Sequence, residues 1–250
     1  MENNIIENEI IPKEVTKPSY KIIPVSVIDL EKAGKDKIRG KQDHAKLSPR
    51  ATYSPFPEEV ADLCYEYFLR DSKNIFDPFA GWGERHSKAL EYNKNYIGFD
   101  TSQFALDNAK NVFNVNNTLA DSRIDEIPEH DGLLTCPPYW NLEKYNGDGL
   151  DKIKGWDNFL EEYEKVWKRV SEKAKPGSTY CVMVCDWRSK HIYYDLVFHT
   201  ERILNSIGKP FDKVVLSRKK ISKIKIMLPQ AKRLGYTAKV HEMLLVYKII

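Results

Sequence analysis

The amino-acid sequence predicts an α/β fold with a mainly parallel sheet, helices on both faces and an antiparallel hairpin at one edge. Three observations carry this expectation. Short apolar runs recur at 74–78, 95–100, 131–135 and 177–185, each bounded by turn residues. Segments with apolar residues at helical spacing alternate with them, at 84–92, 102–114, 158–174 and 194–207. Strands alternating with helices of roughly 10–15 residues build βαβ units and hence a parallel sheet. Two final apolar runs, 213–217 and 240–249, are joined by a basic loop and suit an antiparallel hairpin.

The N-terminal part is less regular. Residues 1–20 mix Asn, Glu, Lys and Pro without periodicity, and 21–30 suits one short strand weakened by Pro24. Residues 32–57 are basic and punctuated by Gly34, Gly40, Pro49, Pro55 and Pro57, which reads as loop. Val60, Leu63, Cys64, Tyr67 and Phe68 then recur at helical spacing. The chain thus divides into an arm at 1–50, partly irregular and basic, and one domain at 51–250.

Composition narrows the class. Of the 250 residues 42% are hydrophobic, enough for a sizeable core, and no apolar run reaches the ~20 residues that a membrane helix needs. Four scattered cysteines make no disulfide framework, so a reducing cytoplasmic setting is expected. The net charge of +3 conceals four blocks: −3 over 1–31, +5 over 32–50, −8 over 51–204 and +9 over 205–250. Basic flanks around an acidic centre suit a polyanionic partner or two solvated faces.

Two loops carry the chemistry. DPFAGWG, Asp77 to Gly83, follows the first buried strand, where ligands of open α/β sheets bind. Gly81 and Gly83 let the backbone approach a ligand closely, and Asp100 closes the next strand, where it can accept bonds from ribose hydroxyls. Asp121 and Ser122 follow where a third strand should end. A dinucleotide fingerprint needs a further glycine, and His86 stands there instead, which favours a nucleoside cofactor without a diphosphate. The second loop is LLTCPPYW, Leu133 to Trp140. Prolines remove backbone donors and leave carbonyl acceptors, and a planar amino-bearing ring could stack on Tyr139 while its amine donates to them. A Pro-Pro pair also simply ends a strand, and aromatics also cover a core.

The order DPFAGWG, IGFD, Asp-Ser and TCPPYW resembles the S-adenosylmethionine-dependent amino-methyltransferases that modify DNA bases. The resemblance spans about Ser54 to Tyr145 and, more loosely, 177–185. It implies a Rossmann-like methyltransferase fold with S-adenosyl-L-methionine as cofactor. Phe79, Gly81 and Gly83 would pass around the methionine part with Asp77 just ahead of them, Asp100 would hold the ribose, and Asp121, with Ser122 beside it, would lie by the adenine. Cys136, Pro137, Pro138 and Tyr139 would receive a base flipped from a DNA duplex or taken from a single strand. Trp140 next to that slot, with Arg218, Lys219, Lys220, Lys223 and Lys225, would contact the nucleic acid, and 141–157 and 217–239 would be small recognition loops. Such a protein is expected as monomer or homodimer, away from membranes.

The family has Asp, Asn or Ser at the position of Cys136. Cys is nearly isosteric with Ser, and the family's Ser versions act on N4 of cytosine, which favours that amine over N6 of adenine. A thiol is a weak hydrogen-bonding group, so a catalytically weak or inactive nucleic-acid-binding relative is an alternative, as is methylation of RNA. The thiol of a carbon-5 cytosine methyltransferase would follow a proline, the reverse of the order here. All these readings require that the turns holding Gly81 and Pro138 share one rim.

Overall fold

A computed structural model describes residues 24–30, 56–142, 147–189, 191–218 and 224–250. It contains an eight-stranded sheet in the order β1-β9-β10-β6-β5-β2-β3-β4. Its strands are β1 (Val27–Asp29), β2 (Asn74–Asp77), β3 (Asn95–Asp100), β4 (Thr118–Leu119), β5 (His130–Thr135), β6 (Ala174–Val184), β9 (Gly208–Ser217) and β10 (His241–Ile249). A separate hairpin pairs β7 (Trp187–Ser189) with β8 (Ile192–Tyr194). The helices are α1 (Glu58–Leu63), which continues as a π-helical turn over Cys64–Phe68, α2 (Glu84–Glu91), α3 (Gln103–Phe113), α4 (Trp156–Ser171), α5 (Leu196–Ile207) and α6 (Ile224–Leu234).

Strands β4, β3, β2, β5 and β6 are mutually parallel, and β10 enters antiparallel between β6 and β9. The expected hairpin is therefore present, but β10 lies inside the sheet. Its partner β9 is bordered in turn by β1, which runs parallel to it through Val27–Val215 to Asp29–Ser217. The arm contributes this strand, and apart from residues 24–30 the arm lies outside the described residues.

Alternation along each central strand divides the sheet between two cores. Phe76, Leu133, Tyr180, Val182, Leu245 and Tyr247 face α4 and α5, where Phe159, Tyr163, Trp167 and Leu204 are buried. Their neighbours Ile75, Leu134, Cys181, Met183, Leu244 and Val246 face α1 and the π turn, against Val60, Leu63, Tyr65 and Phe68. Burial on both faces explains why these strands read as unbroken apolar runs.

Several boundaries differ from the sequence expectation. The segment expected as helix from residue 194 starts at Leu196, because Ile192–Tyr194 pairs with Trp187–Ser189. The long helix begins at Trp156, following Gly155 at φ +89°, and the next strand begins at Ala174. The expected recognition loop at 217–239 contains helix α6 despite Pro229 within it, and that at 141–157 contains a 3₁₀ turn at Leu150–Lys152.

Candidate active site

β2 and β5 are adjacent and parallel, with Phe76 opposite Leu133, so both deliver their carboxyl ends to one rim. The turn holding Gly81 and the turn holding Pro138 therefore share that rim, as the readings above require. Asp77, the last residue of β2, links them directly. Its Oδ1 accepts from the Phe79 N–H at 3.0 Å and from Thr135 Oγ1 at 2.6 Å. Its Oδ2 accepts from Arg85 Nε and from the Tyr96 hydroxyl, both at 2.6 Å. The carboxylate is fully buried, and these four protein donors surround it.

Arg85 extends the same network. It is buried on α2, donates through Nη2 to the Phe79 carbonyl at 2.7 Å and lies over the Phe56 ring. Burial lowers its basicity, and the Asp77 charge more than offsets that, so the guanidinium stays charged. Sequence reasoning missed Arg85, Tyr96 and the role of Thr135. An arginine in the first turn of a helix reads as solvated until Asp77 is known to be buried.

The glycines have separate tasks. Gly83 sits at φ +102°, and a Cβ there would come within 2.8 Å of Ala109 Cβ, so its hydrogen lets the loop close against α3. Gly81 sits at φ +59°, and a Cβ there would meet nothing closer than 3.8 Å. The Gly81 N–H donates to Asp100 Oδ2 and the Ser102 N–H to Oδ1, each at 2.8 Å. Asp100 is half-buried at the end of β3. Burial pushes its carboxyl up to about 6 against the effect of the two N–H groups, with the nearby Asp77 charge adding to the rise. Each Asp100 oxygen retains capacity for one more donor.

Asp121 and Ser122 are otherwise engaged. The Asp121 carboxylate accepts from Arg123 Nε at 2.9 and 3.0 Å, and Ser122 Oγ donates to the Pro78 carbonyl at 3.0 Å. Ser122 therefore braces the loop from below. His86, standing where a dinucleotide fingerprint has glycine, stacks on Tyr96 with ring centres 4.5 Å apart and contacts Asn117 Oδ1 through Nδ1. It fills the space between helix and strand.

Beyond β5, Cys136 and Pro138 are half-buried and Pro137 is buried. Tyr139 departs from the expected open stacking platform. It is buried, its hydroxyl lies 3.2 Å from Cys136 Sγ, and its ring lies 6.2 Å from that of Trp187 at 31°. Trp140, expected at the nucleic acid, gives its indole N–H to the Ile153 carbonyl and packs on Trp156 and Tyr194. These aromatics form one cluster in which Trp187 also stacks on Tyr194. The cluster was not legible because its members come from four separate segments.

Of the expected phosphate contacts, Arg218 is half-buried and bonded through Nε and Nη2 to Glu242 Oε2 at 2.9 and 2.7 Å. Lys219, Lys220 and Lys223 lie outside the described residues, and Lys225 falls in the first turn of α6. No helix among the described residues is long and apolar enough to cross a membrane.

The mainly parallel sheet with helices on both faces is Rossmann-like, the fold of solved S-adenosylmethionine-dependent methyltransferases that align with this chain. TrmN from Thermus thermophilus aligns with a TM-score of 0.53 at 15% identity over 81% of this chain, which spans 52% of that one. The N-methyltransferase NodS from Bradyrhizobium japonicum WM9, in complex with S-adenosyl-L-homocysteine, aligns with 0.53 at 11% identity over 85% of this chain and 94% of that one. An S-adenosylmethionine-dependent methyltransferase from Clostridium acetobutylicum ATCC 824 aligns with 0.51 at 16% identity, over 78% of this chain and 92% of that one. No protein-family model and no curated protein sequence matches.

Proposed function

We propose that the protein is an S-adenosylmethionine-dependent methyltransferase acting on the exocyclic amine of a base in DNA, N4 of cytosine ahead of N6 of adenine. The observation that carries this reading is the Asp77 carboxylate. It binds the Phe79 N–H of one loop and the Thr135 hydroxyl of the other, fixing a glycine turn and a Pro-Pro turn at a constant spacing. Two reactants held at such neighbouring turns would be oriented for transfer, and orientation is a large part of what this reaction needs.

The residues present fit the cofactor. Gly81, at φ +59° with no Cβ, would let the backbone pass close to its methionine part, and Asp100 has acceptor capacity for ribose hydroxyls. The bound cofactor would supply an electrophilic methyl group on sulfonium. The chain's own part is to hold the amine. Pro137 and Pro138 bring carbonyls without competing N–H groups, and acceptors that engage the amine N–H shift its lone pair out of conjugation. Asp77 and Arg85 act as positioning residues beneath the loop.

Incubation with labelled cofactor and unmodified DNA or RNA, followed by nucleoside mass spectrometry, tests the reading. N4-methylcytosine in DNA is expected. A methylated base in RNA alone would replace DNA as the substrate, and no modified nucleoside in either would overturn the proposal. One observation favours a second reading, a nucleic-acid-binding relative without the chemistry. The Tyr139 ring lies against Trp187 with its hydroxyl on Cys136, so stacking a base on it requires that ring to be uncovered.

A further inference from the structure

The β7–β8 hairpin lies directly beyond β6, and its Trp187 packs on Tyr139, so it stands beside the Pro-Pro turn. Its outer part does not continue the aromatic cluster. Arg188 and Tyr193 are exposed and face one another across the hairpin, paired in register. The Arg188 guanidinium lies 4.8 Å from the centre of the Tyr193 ring and 4.9 Å from that of Tyr236. Lys239 Nζ lies 5.1 Å from the Tyr193 ring. Asp186 sets this group in place: it accepts from the Tyr193 hydroxyl at 2.6 Å and from the Val197 N–H at 2.9 Å, and it pairs with Lys239 at 3.4 Å.

Two tyrosine rings and two cations thus interleave at the edge of the candidate active site. Among the described residues Arg188 has no carboxylate partner, so its charge is available to an external anion. A cation-and-ring alternation matches a chain whose phosphates and bases also alternate. An acidic peptide would use the cations and leave the rings idle.

We propose that Arg188, Tyr193, Tyr236 and Lys239 form a strand-binding surface for nucleic acid. Tyr193 stacks a base next to the target base and Arg188 contacts its phosphates, while Lys239, paired with Asp186, holds the Tyr193 ring in place. The inference rests on the nucleic-acid reading above and names a binding surface for it. It also relocates the contacts, because Arg218 and Trp140 are engaged within the protein.

Fluorescence anisotropy with labelled single-stranded and duplex oligonucleotides tests it, using Arg188→Glu and Tyr193→Leu. Both sites are exposed, and matched thermal unfolding and calorimetric cofactor binding establish that the variants are intact. Arg188→Glu is expected to weaken binding at least about tenfold and to reduce the salt slope by about one. Tyr193→Leu is expected to weaken single-strand binding about tenfold with the salt slope unchanged. Wild-type affinity in both variants, or competition by polyglutamate equal to that by unlabelled oligonucleotide, would overturn the surface while leaving the methyltransferase reading intact. Failure of the wild type itself to bind any oligonucleotide would remove the nucleic-acid substrate and this surface together.

Discussion

Asp100 has an acidity that makes a specific pH profile. Its carboxyl in the folded protein titrates at about 6, above the ordinary 3.8, so between those values the folded state holds a proton that the unfolded state releases. For this group, stability is greatest in acid and declines as pH rises through 6. In the proposed role of Asp100, ribose hydroxyls would need the ionised form as acceptor, so cofactor affinity should move in the opposite sense. It should fall about tenfold per pH unit below about 6, and Asp100→Ala should be weaker throughout and lack that slope; titration calorimetry across pH 4.5–8 reads both. Arg85 bears on stability. Arg85→Met leaves the buried Asp77 carboxylate without its cation and should cost about 3–5 kcal/mol in urea unfolding, whereas Asp77→Asn with Arg85→Met should recover part of it.

At the scale of elements, two glycines with positive φ are expected to respond differently to the same change. Gly83→Ala drives a methyl into Ala109 and Val115 and should cost more than about 2 kcal/mol, because α3 cannot retreat without opening the core. Gly177 has φ +83° with nothing within 4 Å of a Cβ, so Gly177→Ala should cost only about 1 kcal/mol of backbone strain. Thermal unfolding of the two variants separates packing from conformation.

The elements that sequence reasoning recovered are those whose period agrees with their burial. β2, β3, β5 and β10 are short apolar runs, and α3 is framed by Ser102, whose hydroxyl accepts from the Ala105 N–H, and by Asn114 in the left-handed conformation. Others were hidden by their composition. α6 carries Pro229, and the β7–β8 hairpin turns at an exposed histidine, His191 at φ +71°, with no Asn-Gly or Asp-Gly signal. For the site, the glycine turn and Asp100 could be found because backbone geometry demands those residue types. Tyr139 and Trp140 could not be placed, since whether an aromatic ring faces solvent or a core depends on Trp156, Trp187 and Tyr194 arriving from elsewhere in the chain.

Across the whole molecule the two cores meet through β5, β6 and β10, which are flanked on both sides by other strands and covered on both faces by apolar packing. Amide hydrogen exchange should accordingly be slowest in these strands and fastest in the β7–β8 hairpin and β4. A hairpin with amides as slow as those of β6 would contradict this division.

The outer border of β9 shows how the arm protects the protein from itself. Where β1 does not reach, β9 presents Lys209, Pro210, Asp212 and Lys213, residues that discourage a stranger's backbone from docking. Where β1 does reach, the concealed stretch is Val215 to Ser217, and the Val215 N–H and Ser217 carbonyl are satisfied by Ser26 and Leu30. A protein trimmed of its first 30 residues would display a bare, greasy ladder end, and light scattering should register clumping that grows with concentration.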